Sequence, residues 1–285
     1  MKKILSLILC ITLLCTAFSV ALHAQETIPQ GSLVVLGDSI GRGYRVEREY
    51  TYGYLLAQKL GFSLTNLARN GLRSDTVASE LGTNTTMQQA VAGADVVVLS
   101  IGGVDFLSVY GDVLNGIVRY VAHGLWGNWN HMQQIWDTFE ASLDSLVVQI
   151  NTLNPDATIV VKTLFRTEVP VPATRRALHT IVNGFNDRIW AYYNQNPGAF
   201  LVADVATAFA DRRGLMSHDL AHPSAAGHTI MATVISDTLH GTQTPLPPSH
   251  LGLDILAVVG FPVLLAADLI LRFLVAPIMI LWVVD

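Results

Sequence analysis

Short apolar runs alternate with longer helical patterns along this chain, and this alternation constrains the fold more than any other feature. The predicted strands are Leu33–Gly37, Ser63–Leu67, Asp95–Ile101, Thr158–Leu164 and Phe200–Ala203. The predicted helices are Tyr52–Leu60, Thr86–Ala92, Ile135–Leu153, Ala173–Asn194 and Ala225–Leu239. Strands with little polar alternation, separated by helices, are typical of a parallel sheet that is covered on both faces. We therefore expect an α/β fold, a three-layer α/β/α sandwich with a mainly parallel, flavodoxin-like sheet of five strands.

The composition excludes several classes of protein. The chain has 285 residues, of which 51% are hydrophobic and 14% are charged, against about 25% charged in a typical globular protein. This much apolar material excludes a disordered chain. The net charge of −5 gives no support to a nucleic-acid partner, which would require a basic surface. Much of the apolar excess lies in two terminal segments, at 1–24 and 251–285.

The first segment has the features of a secretory signal peptide. Two lysines follow Met1, and an uncharged apolar run extends from Ile4 to Leu22. Cleavage is plausible after Ala21 or Ala24, and an uncleaved N-terminal anchor is the alternative. Both cysteines of the chain lie within this segment, so its removal would leave no disulfide and no thiolate nucleophile or metal ligand. We expect the protein to be exported.

The last segment favours attachment to a membrane. A Pro-rich linker at 241–250 separates the domain at 25–240 from an apolar stretch at 251–285. Asp268 and Arg272 stand four residues apart, so they could pair on a helix and lower the cost of entering hydrocarbon. A buried helix of the domain is the alternative. The expected location is the cell envelope, outside the cytoplasm, or secretion if this segment does not insert.

Candidate catalytic residues follow the predicted strands, where parallel sheets bind their ligands. Ser39 comes directly after the first strand and beside glycines, which suits an exposed hydroxyl surrounded by backbone N–H groups, although a helix-capping serine has the same pattern. Asp219 and His222 stand three residues apart before Pro223. They could supply the base and the orienting carboxylate that a serine nucleophile needs, or they could be a capping carboxylate and an exposed loop histidine.

Three motifs resemble the blocks of the SGNH or GDSL family of serine hydrolases. They are Gly37–Ser39, Asn66–Gly71 and Asp219–Pro223, and the resemblance covers roughly residues 33–239 in the family's order. It implies an SGNH hydrolase-like fold and an esterase that needs neither a cofactor nor a metal. The implied catalytic residues are Ser39, Asp219 and His222, and the N–H groups of Ser39 and Gly71 would form the oxyanion hole.

The sequence departs from the family in its third block. The family has Gly-x-Asn-Asp there, and its Asn amide is a third oxyanion donor; this chain has Gly102-Gly103-Val104-Asp105. Loss of one such donor costs about 10²–10³ in turnover. The protein is thus a slow enzyme, an enzyme whose donor comes from another side chain, or a non-catalytic binding module. We expect Gly103, Val104 and Phe106 to border the substrate.

Two further features bear on the substrate. The aromatic-rich stretch at 106–136 is either an extra helix on the core or an apolar flap beside the serine, and the latter favours a lipid or lysophospholipid ester. A carbohydrate O-deacetylase is the alternative within the same family. Arg42, Arg45 and Arg48 could meet a phosphate-bearing head group, although a solvated surface is the simpler interpretation.

Overall fold

Five strands form the central sheet of the computed structural model, which describes residues 30–105, 130–166, 172–210, 212–219, 221–244 and 246. The strands are β1 (Gly31–Gly37), β2 (Phe62–Asn66), β3 (Val96–Ser100), β4 (Thr158–Lys162) and β5 (Leu201–Ala203). They lie in the order β2-β1-β3-β4-β5. Every neighbouring pair is parallel, which confirms the predicted sheet.

Both faces of the sheet are apolar. Successive residues of a strand point to opposite faces, so Val34 and Leu36 of β1 join one core cluster, whereas Leu33 and Val35 join the other. All four side chains are buried. The nearly continuous β-branched sequence of the strands therefore requires a helical layer on each side.

Helices supply those two layers. Their bounds are α1 Ser39–Arg42, α2 Tyr52–Leu60, α3 Ser74–Thr83, α4 Thr85–Ala92, α5 Asn130–Leu153, α6 Pro172–Gln195, α7 Val205–Phe209 and α8 Ala225–His240. The ends of α8 show how local sequence sets such bounds. Ser224 caps its start by accepting a hydrogen bond from the Gly227 N–H, and Gly241 ends it with a φ of 64°.

An apolar stripe of α5, with residues at intervals of three and four, packs on the sheet. Its buried members are Ile135, Phe139, Leu143, Leu146 and Ile150, and they belong to the same cluster as one face of β1. Helices α2, α7 and α8 contribute to the cluster on the opposite face. The sheet thus lies between two helical layers, and the predicted three-layer α/β/α fold is confirmed.

The predicted elements are all present, with small differences at their ends. The largest difference is at α5, which was expected to begin at Ile135 and begins at Asn130. The sequence did not predict three helices. Two of them, α1 and α7, have only four and five residues. The third, α3, is short and mixes polar residues with a glycine.

Several predictions concern residues outside those described. They are the signal peptide or anchor at 1–24, Phe106 and most of the insert at 106–136, the end of the linker at 247–250, and the membrane-associated segment at 251–285. Within the described ranges, no helix is both long and apolar enough to cross a bilayer. The domain limits at 25–240 and 241–250 stay predictions.

The parallel arrangement brings the carboxyl ends of the strands to one edge. Asn66, Gly37 and Ser100 end the three adjacent strands β2, β1 and β3, respectively, at this edge. Each of the first three sequence blocks begins at one of these residues or within two positions after it. The sheet topology therefore places the blocks side by side.

Candidate active site

Ser39 is the first residue of α1, directly beyond β1. Asp38 caps this helix, since its carboxylate accepts a 2.9 Å hydrogen bond from the Ile40 N–H. The turn is pressed against β3: the Asp38 N–H donates to the Ser100 carbonyl at 3.1 Å. A Cβ on Gly37, whose φ is 143°, would collide with that same carbonyl. Glycine at 37 thus allows the sharp turn that presents the serine.

Asp219 and His222 lie on a loop that folds back on itself before α8. An isolated antiparallel bridge joins Met216 to Pro223. Inside it, the Ser217 N–H donates to the His222 carbonyl at 2.7 Å. These contacts join the two ends of the loop and so fix the position of Asp219 and His222 relative to α8.

The structure brings Ser39, His222 and Asp219 together. His222 Nε2 is 2.9 Å from Ser39 Oγ, and His222 Nδ1 is 2.8 Å from Asp219 Oδ2. The other carboxylate oxygen, Oδ1, accepts hydrogen bonds from Ser217 Oγ at 2.7 Å and from the N–H groups of Ala221 and His222 at 3.1 and 3.0 Å. The carboxylate is thus fixed in orientation by four donors.

These contacts determine where the protons lie. Burial raises the pKa of Asp219, but hydrogen bonds from His222, Ser217 and two backbone N–H groups outweigh it and hold the pKa well below its ordinary value. An ionised carboxylate only accepts, so His222 Nδ1 carries a hydrogen and Nε2 accepts the Ser39 hydroxyl. This arrangement can remove the hydroxyl proton as the serine attacks a carbonyl carbon.

The loop after β2 carries the second expected oxyanion donor. The Asn66 side-chain amide donates to the Gly41 carbonyl at 2.9 Å, and the Arg69 N–H donates to the Gly37 carbonyl at 3.0 Å. These bonds hold the loop against the turn that bears Ser39. Gly71 has a φ of 77°. Among the described residues, the N–H groups of Ser39 and Gly71 have no hydrogen-bond acceptor, so both are available to an oxyanion.

The third block also lies against this turn. A Cβ on Gly103 would be 2.8 Å from Oδ2 of the buried Asp38, so glycine allows this close approach without displacing that carboxylate. Asp105 is buried and accepts hydrogen bonds from the N–H and the hydroxyl of Ser74, at the start of α3. Val104 is half-buried and brings no side-chain donor. Phe106, the third residue expected to border the substrate, is outside the described ranges.

Sequence reasoning missed two contacts of the site. The Tyr44 ring lies edge-on to the His222 ring, with 4.8 Å between centroids. Arg45 Nε is 3.3 Å from Asp219 Oδ2. Arg45 has a φ of 77° and is alone among the described non-glycine residues in having a positive φ. No sequence signal marks this backbone, although the sequence does identify Arg45 as a candidate contact for a phosphate-bearing head group.

A buried polar layer underlies the serine turn. Burial raises the pKa of Asp38, and burial lowers the pKa of Lys162, while their opposite charges partly offset both effects. The Tyr52 N–H donates to His228 Nδ1 at 3.2 Å. Burial, with the positive charges of Lys162 and His222, lowers the pKa of His228 to about 4. His228 is therefore neutral at physiological pH.

The residues described here offer no obvious metal centre. In those ranges, no three His, Cys, Asp or Glu side chains are close enough together to hold an ion.

A serine, a histidine and an aspartate joined by hydrogen bonds at the edge of a parallel sheet form the arrangement of a serine hydrolase. Residues 35–230 match the GDSL-like lipase/acylhydrolase family, and the chain belongs to it. This confirms the resemblance seen in the sequence motifs, and the protein is an ester hydrolase of the SGNH/GDSL type. No curated protein matches the sequence significantly.

Solved structures share the fold at low sequence identity. A lipase from a goat rumen metagenome is 16% identical with a TM-score of 0.59, over 73% of this chain and 97% of the lipase. A phospholipase A1 from Streptomyces albidoflavus is 20% identical with a TM-score of 0.51, over 75% and 99% of the two chains. An acetyl xylan esterase from Geobacillus stearothermophilus is 19% identical with a TM-score of 0.50, over 78% and 100%.

Proposed function

We propose that this protein hydrolyses carboxylic esters through an acyl-enzyme on Ser39. The observation that carries the proposal is the hydrogen-bonded chain from Ser39 Oγ to His222 at 2.9 Å and from His222 to Asp219 at 2.8 Å. Ser39 is the nucleophile and His222 is the general base. Asp219 holds the imidazole in the tautomer that accepts the serine proton and stabilises the imidazolium that forms.

The reaction has two halves. Ser39 Oγ attacks the ester carbonyl carbon while its proton passes to His222 Nε2, and the tetrahedral intermediate then loses the alcohol, which takes that proton. Water attacks the resulting acyl-enzyme with His222 again as base, so the carboxylic acid leaves and Ser39 regains its hydrogen. The N–H groups of Ser39 and Gly71 stabilise the oxyanion, without help from Val104.

A lipid or lysophospholipid ester is the favoured substrate. The apolar and aromatic sequence at 106–136 directly follows the third block and suits a long acyl chain. The lipase and phospholipase A1 among the structural neighbours support the same class. The acetyl xylan esterase neighbour supports the alternative, a carbohydrate O-deacetylase.

A series of p-nitrophenyl esters from acetyl to palmitoyl separates these substrate classes. A lipid esterase prefers long chains, and deletion of residues 108–130 would shift that preference toward short ones. A preference for acetyl that survives the deletion would favour the deacetylase.

We also propose export, with attachment to a membrane through residues 251–285. The charged start and apolar run of the first segment support export, and the apolar tail beyond a Pro-rich linker supports attachment. Fractionation of cells expressing the full chain and a version ending at residue 250 tests both. The full chain should be recovered with membranes and the shortened chain in the soluble exported fraction.

Labelling with a fluorophosphonate probe tests the nucleophile, with Ser39→Ala as the control. Labelling of the wild type alone supports the acyl-enzyme mechanism. Absence of labelling from both proteins would favour a non-catalytic, membrane-anchored binding module, the function that Val104 in place of the family's Asn would suit.

A further inference from the structure

A cationic cavity lies one helical turn from Ser39. It has a volume of about 520 Å³, and its lining includes Arg42, Arg45 and Arg48 together with Tyr44 and the β2 residues Leu64 and Asn66. Arg42 is the last residue of α1, three positions after Ser39, so the two side chains leave the same face of that short helix. The cavity thus lies beside the turn that bears Ser39, and its lining residues Tyr44 and Arg45 connect it to the candidate active site.

Two of the three arginines that line this cavity have no carboxylate partner among the described residues. Among the described residues, no carboxylate lies within 4.0 Å of Arg42 or Arg48. Arg48 lies over the Tyr54 ring, 6.0 Å from its centroid, and Arg45 pairs with Asp219. The segment's own acids, Glu47 and Glu49, do not line the cavity. Two guanidinium groups are therefore available to an anion.

The wall of the cavity touches the base that serves the leaving group. Tyr44 packs on the His222 ring, and Arg45 contacts the carboxylate behind it. The leaving alcohol has to reach His222 Nε2 to receive its proton, so the alcohol part of an ester is the part that comes close to this wall. The left-handed backbone of Arg45 is also a type of strain that is found at functional sites.

We propose that Arg42, Arg45 and Arg48 form a subsite for a phosphate group carried by the alcohol part of the ester. The guanidinium group is planar and binds phosphate oxygens in pairs. Two such groups without a carboxylate partner, with the Asp219-paired Arg45 beside them, suit a phosphate better than a carboxylate. The preferred substrates are then acyl esters of phosphorylated alcohols of the glycerol phosphate type. This inference rests on the proposed ester hydrolysis at Ser39.

The test compares the monobutyrate esters of glycerol phosphate and of glycerol, which are soluble and differ only in the phosphate. The full-length protein should have a kcat/KM at least about tenfold higher for the phosphate ester, since hydrogen bonds to charged groups are worth about that much each. In the double variant Arg42→Gln/Arg48→Gln, the ratio of the two kcat/KM values should fall toward one. Arg213→Gln removes an exposed arginine outside the cavity and should leave the ratio unchanged.

Free glycerol phosphate supplies a second measurement that does not depend on the variants. Glycerol phosphate should be a competitive inhibitor when the wild type hydrolyses p-nitrophenyl butyrate. Inorganic phosphate should inhibit the same reaction more weakly. A substrate ratio near one together with no inhibition would overturn the subsite. If the phosphate ester is preferred only when anionic phosphatidylglycerol vesicles are added to the assay, the preference comes from the lipid surface, and this result would also overturn the subsite. A wild-type protein that neither hydrolyses p-nitrophenyl butyrate nor reacts with the fluorophosphonate probe would instead contradict the proposed function itself.

Discussion

His222 Nε2 lies 2.9 Å from Ser39 Oγ, although 183 residues separate them along the chain. Ser39 is fixed by the turn after β1, and His222 is fixed by a loop at the other end of the domain. The hydrogen bond therefore depends on the packing of α8, and of the loop that precedes it, against the sheet. Its partner bond, from His222 to Asp219, is local, since those residues are three apart.

Replacement of Asp219 by Asn should lower kcat about 10⁴-fold without unfolding the protein. The amide at this position would leave the imidazole free to adopt the wrong tautomer, with its hydrogen on Nε2. Steady-state hydrolysis of p-nitrophenyl butyrate measures the effect. Asp156→Asn is the control, because Asp156 is exposed and distant in sequence from the site. A loss of less than tenfold would contradict the role given to Asp219.

Replacement of Val104 by Asn should raise kcat by about ten- to a hundredfold. The amide would restore a donor to an oxyanion site that otherwise has the N–H groups of Ser39 and Gly71, and one such donor is worth about 10²–10³ in favourable geometry. Val104→Ala has no donor and should give no increase. Equal rates for wild type and Val104→Asn would mean that another group already occupies the donor's place.

Arg45 offers a test of backbone strain. A non-glycine residue in the left-handed region costs about 1 kcal/mol or more, so Arg45→Gly should be more stable than Arg45→Ala by about that amount. Both variants lose the ion pair with Asp219, so the comparison cancels its contribution. Urea unfolding followed by circular dichroism gives the two free energies. Equal stabilities would argue against strain at this position.

His228 should make the fold less stable in acid. Its folded pKa of about 4 is below the reference value of 6.5, so the unfolded chain binds a proton first as the pH falls. The contribution to stability is fully present above pH 6.5 and falls by about 3 kcal/mol on going to pH 4. His228→Asn keeps an acceptor for the Tyr52 N–H and should remove this part of the acid sensitivity. Unfolding free energies at pH 7 and pH 4 for both proteins check the difference.

Gly184 should resist substitution even though it lies inside a helix. Alanine usually stabilises a helix relative to glycine by about 1 kcal/mol, but a Cβ at 184 would collide with the buried Trp136 indole. We expect Gly184→Ala to lower the free energy of unfolding by about 1–3 kcal/mol. Gly82→Ala is the matched control, since its Cβ would meet only the Gln149 amide oxygen at 3.3 Å, and it should be neutral or stabilising.

The sequence motifs led directly to Ser39, Asp219 and His222. A glycine two positions before the serine and a proline directly after the histidine dictate the local backbone there. The strands could be predicted equally well from the sequence, because both faces of β1 and β3 are buried and their apolar runs are uninterrupted. In these cases the residues that determine the structure are neighbours in the sequence, so a local pattern is enough to predict it.

The cavity and the contacts of Arg45 could not be predicted from the sequence in this way. Arg45 meets Asp219 because two distant segments converge, and the left-handed backbone that allows it has no signature in an arginine side chain. The burial of Lys162 is similar: a lysine at a strand end ordinarily reaches solvent, yet here it is 2% exposed beneath the serine turn. Such features follow from tertiary packing and become visible only in the structure.

The bridge between Met216 and Pro223 closes the loop that holds Asp219 and His222 together. This loop adds no strand to the sheet, so it can open while β1 to β5 stay paired. Base and carboxylate would then withdraw from Ser39 as one piece. Heating should consequently abolish catalysis at a lower temperature than the one at which the sheet unfolds. Enzymatic activity should therefore detect thermal damage earlier than a spectroscopic signal from the sheet.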